Sequence, residues 1–241
     1  MAGALQGRTA VVTGGSKGIG YAIAEALAKA DANVLITSRH EDEVRAAAEK
    51  LDFCGSGKVA GIAADQREHA DVQRVMAAAA DQLGGVDILI NNAGVGIFGP
   101  IDQMSVEDWS TVLDTNLTGV FYCCREAVPL MKKRGGGWII NIGSLAGKNP
   151  FAGGAAYNAS KFGLLGFSEA MMLDLRDQDI RVSCIMPGSV ETHFNGNQPS
   201  DQGAWKIQPE DIAAIVMDLL AMNPRTLPSR IEVRPSKPRK G

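Results

Sequence analysis

The chain has 241 residues, of which 45% are hydrophobic and 21% are charged, a composition typical of a globular protein that can bury a full core. Its formal net charge of -3 argues against a nucleic-acid or membrane partner, because such partners favour a basic surplus. The four cysteines show no CxxC spacing and no apolar run approaches the ~20 residues of a membrane helix, so we expect a soluble protein of the reducing cytoplasm without a structural zinc.

Strands and helices are predicted to alternate along the whole chain. After the first apolar run, Ile19, Ile23 and Leu27 recur at helical spacing. Such alternation predicts βαβ crossovers and a parallel sheet. We therefore predict one α/β domain over residues 1–241, a Rossmann-type, doubly wound parallel sheet of about seven strands with helices on both faces. The predicted strands cover 9–13, 33–38, 58–64, 87–91, 138–143, 181–186 and 230–233.

Four further segments have patterns of their own. Apolar residues at helical spacing predict long helices over about 107–133 and about 156–177. Pro209 is expected to open a third helix, since proline is favoured in the first turn. The chain closes on a basic tail, 235–241, whose prolines favour packing against the protein body or a subunit over a nucleic-acid arm.

The stretch TGGSKGIG, residues 13–20, joins the first predicted strand to the first predicted helix. Its glycines would leave backbone N–H groups and a helix N-terminus free beside a bound anion, which favours a pyrophosphate. A turn in which these glycines are purely structural is the alternative, because the spacing departs from GxGxxG.

The end of the second predicted strand indicates which dinucleotide is bound. A fold that binds NAD places a carboxylate there, close to the ribose 2′-hydroxyl. This chain has Ser38 and Arg39 at that place. Arg39 could bind the 2′-phosphate of NADP, and Lys17 could add a second positive charge. The sequence therefore predicts NADP(H) as the cofactor.

The stretch YNASK places Tyr157 and Lys161 four residues apart, on one face of a helix. A nearby ammonium would lower the phenol pKa from its usual ~10, so that the tyrosine could exchange a proton near neutral pH. Ser144 ends the strand WIINIGS and is expected at the sheet edge where the glycine loop lies. Together these residues predict acid–base chemistry on a carbonyl or an alcohol, with no metal.

With NNAG at 91–94, DTNLTG around Asn116, IGSLAG around Ser144 and PGSVET at 187–192, the chain resembles the short-chain dehydrogenase/reductase family over about residues 7–234. It is similar to the NADP-dependent 3-oxoacyl-carrier-protein reductases. The resemblance implies that Tyr157 is the acid/base, that Lys161 lowers its pKa and holds the nicotinamide ribose, that Ser144 orients the substrate oxygen, and that Asn116 fixes a water in a proton relay.

The resemblance also implies the cofactor contacts, with Asp65 on the adenine and Thr192 on the carboxamide. It further implies a homotetramer or homodimer formed through the two long helices. The implied cofactor-binding residues are Gly14, Ser16, Lys17, Gly18, Ile19, Gly20, Ser38, Arg39, Asp65, Gln66, Asn92, Ala93, Gly94, Tyr157, Lys161, Pro187, Gly188, Val190 and Thr192.

The segment 193–208 is expected to be a short substrate loop, in which Lys206 is the candidate anchor for a charged group. Candidate apolar walls of the pocket are Phe98, Phe151, Phe194 and Trp205. The predicted function is NADPH-dependent reduction of a small-molecule carbonyl to a secondary alcohol, with a 3-oxoacyl thioester as one candidate substrate. The alternatives are an NAD(P)-dependent alcohol or sugar dehydrogenase and a non-catalytic dinucleotide-sensing protein.

Overall fold

Seven strands form one sheet in the order β3-β2-β1-β4-β5-β6-β7, in a computed structural model that describes residues 3–237. Every neighbouring pair is parallel, which confirms the predicted doubly wound sheet. The strands are β1 (Thr9–Val12), β2 (Asn33–Ser38), β3 (Val59–Ala63), β4 (Ile88–Asn91), β5 (Gly137–Ile142), β6 (Ile180–Pro187) and β7 (Arg230–Val233). The α-helices are α1 (Gly18–Lys29), α2 (Glu41–Leu51), α3 (His69–Leu83), α4 (Val106–Leu113), α5 (Gly119–Lys133), α6 (Ala155–Leu175) and α7 (Pro209–Ala221).

Side-chain alternation along the strands builds a core on each face of the sheet. In β1, Ala10 and Val12 pack with α1, α2 and α7 on one face, whereas Val11 packs with α3, α5 and α6 on the other. All three residues are fully buried. Because successive side chains of a strand point to opposite faces, a strand covered on both sides is apolar throughout. This explains why the strands appear in the sequence as continuous apolar runs.

The helix predicted over about 107–133 is interrupted. A π-helical segment, Asp114–Thr118, separates α4 from α5. The segment contains Asn116, which is buried and hydrogen-bonded to residues far away in sequence. These distant bonds are the physical reason for the extra residue in the turn, since π-turns form where tertiary contacts outweigh regular helical bonding. The other long helix, α6, and the start of α7 at Pro209 agree with the prediction.

The strand order creates a crevice between β1 and β4. The chain winds outward from β1 through β2 to β3 in one direction and from β4 to β7 in the other. The loops that follow β1 and β4 therefore diverge at the carboxyl edge of the sheet, which is where open α/β sheets bind their ligands. The glycine loop follows β1 and the segment 92–94 follows β4, so the fold brings both to this crevice.

The end of the chain packs on the protein body as far as it is described. Arg230 donates to Glu169 at 3.4 Å, and Glu232 accepts from Lys148 at 2.6 Å and from Arg234 at 3.1 Å. Residues 238–241 of the predicted basic tail lie outside the described residues. Within the described range 3–237, no helix has the length and apolar character needed to cross a bilayer.

Candidate active site

A cavity of about 890 Å³ opens at the carboxyl edge of the sheet, over the crevice between β1 and β4. All the predicted catalytic and cofactor-binding residues line it, with the exceptions of Gly20 and Asn116. The fold therefore gathers residues from the two halves of the sheet into one continuous wall.

The glycine loop fits a phosphate group. Gly14 and Gly18 have φ values of +64° and +59°, which residues with a side chain rarely adopt. Helix α1 begins at Gly18, and its N-cap residue Lys17 makes no side-chain capping bond, so the first N–H groups of the helix face the cavity uncapped. An anion in the cavity would satisfy them and the positive end of the helix dipole.

Gly20 has a packing role. It lies behind the cavity wall, where a Cβ would collide with the Gly14 carbonyl oxygen and the Asn92 side chain. Glycine is required here because α1 packs closely on its own loop, and a contact between Gly20 and the cofactor stays a prediction.

Thr13 and Asn92 connect the ends of β1 and β4. The buried Thr13 Oγ1 accepts hydrogen bonds from the backbone N–H groups of Asn92, at 3.1 Å, and Ala93, at 3.0 Å. In return, Asn92 Nδ2 donates to the carbonyl oxygens of Thr13, at 2.9 Å, and Gly14, at 3.1 Å. These four bonds fix the two loops that flank the crevice. Thr13 was not among the predicted site residues, although a threonine that ends a buried strand was the available signal.

A carboxylate accompanies the two predicted phosphate-binding cations. Arg39 and Lys17 are exposed at the end of the cavity nearest β2. Lys17 Nζ lies 3.4 Å from Glu43 Oε2, and Ser16 Oγ lies 3.5 Å from the same oxygen. Glu43 belongs to the first turn of α2 and was not predicted as a site residue. It partly neutralises the positive charge that a 2′-phosphate would encounter.

Asp65 and Gln66 follow β3 and are held by other residues of the chain. Arg67 Nε donates to both Asp65 carboxylate oxygens, at 3.0 and 2.9 Å, and this interaction lowers the pKa of Asp65. Gln66 Nε2 donates to the carbonyl oxygens of Ala93, at 3.1 Å, and Thr115, at 2.6 Å. The geometry thus gives Gln66 the role of bracing the loop after β4, while its buried Oε1 has no hydrogen-bond partner among the described residues.

Tyr157, Lys161 and Ser144 lie together at the other end of the cavity, beyond β4. Burial raises the pKa of Tyr157, and a hydrogen bond with Ser144 opposes the rise. Lys161 is buried and donates from Nζ to the Ile142 carbonyl oxygen at 3.0 Å, and its Nζ lies 5.8 Å from the Tyr157 ring centroid. Desolvation is the larger influence on the pKa of Tyr157 in this structure, and the lowering of that pKa by Lys161 stays a prediction.

Asn116 holds the cavity wall from behind. Its Oδ1 accepts from the Val95 N–H at 2.8 Å, and its Nδ2 donates to the Val95 carbonyl at 2.9 Å and to Ser160 Oγ at 3.0 Å. The side chain is 1% exposed. Its hydrogen bonds to protein groups make it a positioning residue for the segment after β4 and for α6, and its predicted role in holding a water stays a prediction.

The last residues of the segment 193–208 are joined to the residues that precede it. Val190 and Ile207 form a parallel bridge, and Lys206 forms an ion pair with the buried Glu191. Lys206 is thus neutralised, which corrects its prediction as an anchor for a charged substrate. Of the predicted aromatic walls, Phe98 and Phe194 line the cavity and Trp205 does not. Phe151 packs edge-on against Phe98, with ring centroids 5.6 Å apart.

Comparisons with known proteins agree on one family. A sequence profile of the short chain dehydrogenase family matches residues 8–203. The D-beta-hydroxybutyrate dehydrogenase of Rhizobium meliloti is 39% identical over 214 residues, which cover 87% of this chain and 82% of that protein. The 3-oxoacyl-acyl-carrier-protein reductase of Vibrio cholerae is 39% identical over 189 residues, which cover 78% of this chain and 75% of that protein.

The fold is also that of a solved structure. A metagenomic short-chain oxidoreductase in complex with NADP superimposes with a TM-score of 0.86 at 36% identity, covering 98% of this chain and 100% of that one. The likeness extends over the whole sheet and both layers of helices.

Proposed function

The chain belongs to the short-chain dehydrogenase family, and from this premise we propose that it reduces a carbonyl compound to a secondary alcohol with NADPH. The observation that carries the proposal is that Tyr157, Ser144 and Lys161 line the same cavity as the glycine loop. A phenol that keeps its proton at neutral pH is suited to act as the acid, which is the role that carbonyl reduction requires.

Tyr157 donates its phenolic proton to the carbonyl oxygen as negative charge develops there, and the resulting phenolate is reprotonated afterwards. Ser144 donates a second hydrogen bond to that oxygen and so stabilises the same charge. When bound, the reduced nicotinamide supplies the hydride that the carbonyl carbon gains. Lys161 keeps a positive charge beside Tyr157, which favours the phenolate left by proton transfer.

The cavity supports a nicotinamide dinucleotide as the cofactor, and we propose NADP(H) in particular. Gly14, Gly18 and the uncapped start of α1 would hold the pyrophosphate, for the reasons given above. Arg39 and Lys17 would hold the 2′-phosphate, since β2 ends at Ser38 and is followed by Arg39 rather than by a carboxylate that could bind a ribose hydroxyl. The NADP complex of the metagenomic oxidoreductase agrees with this assignment.

The remaining predicted contacts are part of the same proposal. Asp65 would contact the adenine, Asn92, Ala93 and Gly94 would line the nicotinamide ribose side, and Thr192 would hold the carboxamide. Thr192 lies directly over the start of α1, since a Cβ on Gly18 would lie 3.4 Å from its Cγ2. The segment 193–208 would be the substrate loop. A 3-oxoacyl thioester is one candidate substrate, by analogy with the reductase of Vibrio cholerae.

The proposal is tested by following NADPH oxidation with a panel of ketones, quinones and acetoacetyl thioesters. Tyr157→Phe should lower kcat by about 10³-fold, because general acid catalysis contributes ~10²–10⁴-fold. The dissociation constant of NADPH, measured by fluorescence, should stay unchanged in this variant. Cofactor binding without turnover of any compound would refute the proposal and favour a dinucleotide sensor.

We also propose a homodimer or homotetramer formed through α5 and α6. Exposed apolar side chains lie on these helices: Phe121 is 43% exposed, Phe162 45% and Leu173 56%. A second copy would remove this surface from water. Light scattering on the purified protein tests assembly, and a monomeric mass at micromolar concentration would contradict it.

The reducing cytoplasm is the proposed location. All four cysteines are free thiols, and Cys123, Cys124 and Cys184 are buried in the core. Burial raises the pKa of Cys123 to about 12, so that this thiol is unreactive.

A further inference from the structure

Two phenylalanine rings lie beside Tyr157 at the end of the cavity. Phe98, which follows β4, meets the Tyr157 ring edge-on, with centroids 5.5 Å apart and an interplanar angle of 81°. Phe194, which follows β6, lies 5.8 Å from the same ring at 54°. The two rings come from opposite sides of the crevice, so the proton donor lies between aromatic walls.

The two rings meet over Gly96. A Cβ at this position would lie 2.7 Å from Phe98 Cζ and 2.9 Å from Phe194 Cζ. Gly96 therefore allows both rings to approach the same point of the wall. Phe98 and Phe194 remain 42% and 37% exposed, although both line the cavity. Their ring surface is not used in the core, and a ligand that covered it would gain the free energy of apolar burial.

The charges of the cavity are distributed unevenly. Arg39, Lys17 and Glu43 lie at the β2 end. At the ring-lined end, Lys206 is paired with Glu191 and Lys161 is bonded to the Ile142 carbonyl. Among the described residues, this end offers no exposed lysine or arginine that is free to pair with a carboxylate, since Lys161 is only 6% exposed. A substrate with a free carboxylate next to its carbonyl would lose hydration there without a compensating ion pair.

We propose that this end of the cavity selects flat, uncharged ketones, with an aryl or cyclic group held between Phe98 and Phe194, and that it disfavours free 3-oxo acids. The inference rests on the proposed carbonyl reduction and specifies its substrate class. Edge-on aromatic contacts and apolar burial supply the selectivity, since an aromatic pair gains free energy beyond that of the buried area.

The experiment compares kcat/KM, at saturating NADPH, within two matched pairs of ketones. Acetophenone should exceed 2-octanone by about 10-fold, and ethyl acetoacetate should exceed acetoacetate by at least about 10-fold, which corresponds to ~1.4 kcal/mol each. Phe98→Leu and Phe194→Leu should each lower the preference for acetophenone by about 3-fold or more, because the KM for acetophenone rises. The control Phe53→Leu, at a position 90% exposed and outside the cavity, should leave it unchanged.

Gly96→Ala provides an independent test. The backbone of Gly96 is not in the left-handed region, so alanine is tolerated there, and its methyl group would push the two rings apart. Turnover of acetophenone should fall by about 10-fold, while the small ketone acetone should be affected much less. An equal loss for both ketones would contradict the inference.

Ligand-observed NMR separates this inference from the proposed function. Acetophenone should show saturation transfer from the NADP⁺-loaded wild type, and the signal should weaken in Phe98→Leu and Phe194→Leu. Turnover in which kcat/KM for acetophenone is no higher than that for 2-octanone would overturn the proposed substrate class and leave carbonyl reduction intact. Acetophenone binding that depends on Phe98 and Phe194, but without turnover, would overturn carbonyl reduction and leave the proposed binding site intact.

Discussion

Replacing Lys161 by methionine should stabilise the folded protein while it abolishes activity. The ammonium is buried, and desolvation lowers the pKa of Lys161 from 10.5 to about 8. At ~1.4 kcal/mol per pKa unit, keeping this group protonated in the folded state at pH 7 costs about 3 kcal/mol. Methionine retains the unbranched stem without the charge. It leaves the Ile142 carbonyl without its donor, which costs ~1–3 kcal/mol, so the net gain should be up to about 2 kcal/mol.

The pH dependence identifies the cause of this gain. Between pH 8 and 10.5 the unfolded chain holds a proton on Lys161 that the folded chain has released, so the stability of the wild type rises with pH. The penalty is fully present below pH 8 and disappears above 10.5. Urea denaturation of both proteins, at equal concentration, should show the advantage of Lys161→Met shrinking by about 2 kcal/mol between pH 7 and pH 9.5. An advantage that is the same at both pH values would refute the reasoning, as would a variant less stable at pH 7.

Three other predictions concern the cofactor, the substrate loop and the rim of the sheet. Arg39→Ala should weaken NADPH binding about 10- to 100-fold and leave NADH binding unaffected, whereas Glu43→Gln should strengthen NADPH binding a few-fold. Fluorescence titration of each variant with both cofactors measures these changes. Equal effects on NADPH and NADH binding would count against the 2′-phosphate assignment. Glu191→Gln removes the ion pair that closes the segment 193–208, so KM should rise while cofactor affinity stays the same, and an unchanged KM would show that the loop needs no such closure. Although burial opposes it, hydrogen bonds from Thr9, Arg8 and Arg134 hold the pKa of Asp87 below its usual value, so Asp87→Asn should cost about 2 kcal/mol at pH 7. The stabilisation by the Asp87 carboxylate is present above pH ~4 and is lost as the pH falls through the lowered pKa. The melting temperatures of the wild type and the variant should therefore converge in acid, and a constant difference between them would contradict this prediction.

The strands of the sheet could be predicted because the residues that identify each strand are neighbours in the sequence. A strand such as Val34–Ile36 is buried on both faces, so each of its residues is apolar and the run can be recognised within a short window. The glycine loop could be placed for the same reason, since it follows such a run and precedes residues at helical spacing. Alternation of strands and helices then fixed the parallel arrangement.

The features that could not be predicted depend on contacts between distant parts of the chain. The break at Asp114–Thr118 arises from bonds that join Asn116 to Val95 and Ser160, 21 and 44 residues away. Lys206 looks like a free cation in its own loop, and only the folded chain brings Glu191 to it. The raised pKa of Tyr157 depends on how deeply the ring is buried, which no spacing of residues reveals.

The wide turn at Asp114–Thr118 also links the interior of the molecule to its outer surface. One residue more than a regular turn rotates everything downstream by about 100° relative to a continuous α-helix. Phe121, which is 43% exposed, lies on α5 downstream of this turn. Deleting a single residue from the turn would give a more regular helix. It would also rotate the exposed surface of α5 about the helix axis and move Asn116 away from Ser160. The cavity wall that Asn116 holds and the proposed subunit surface would then change together, so this short stretch should tolerate no change in length.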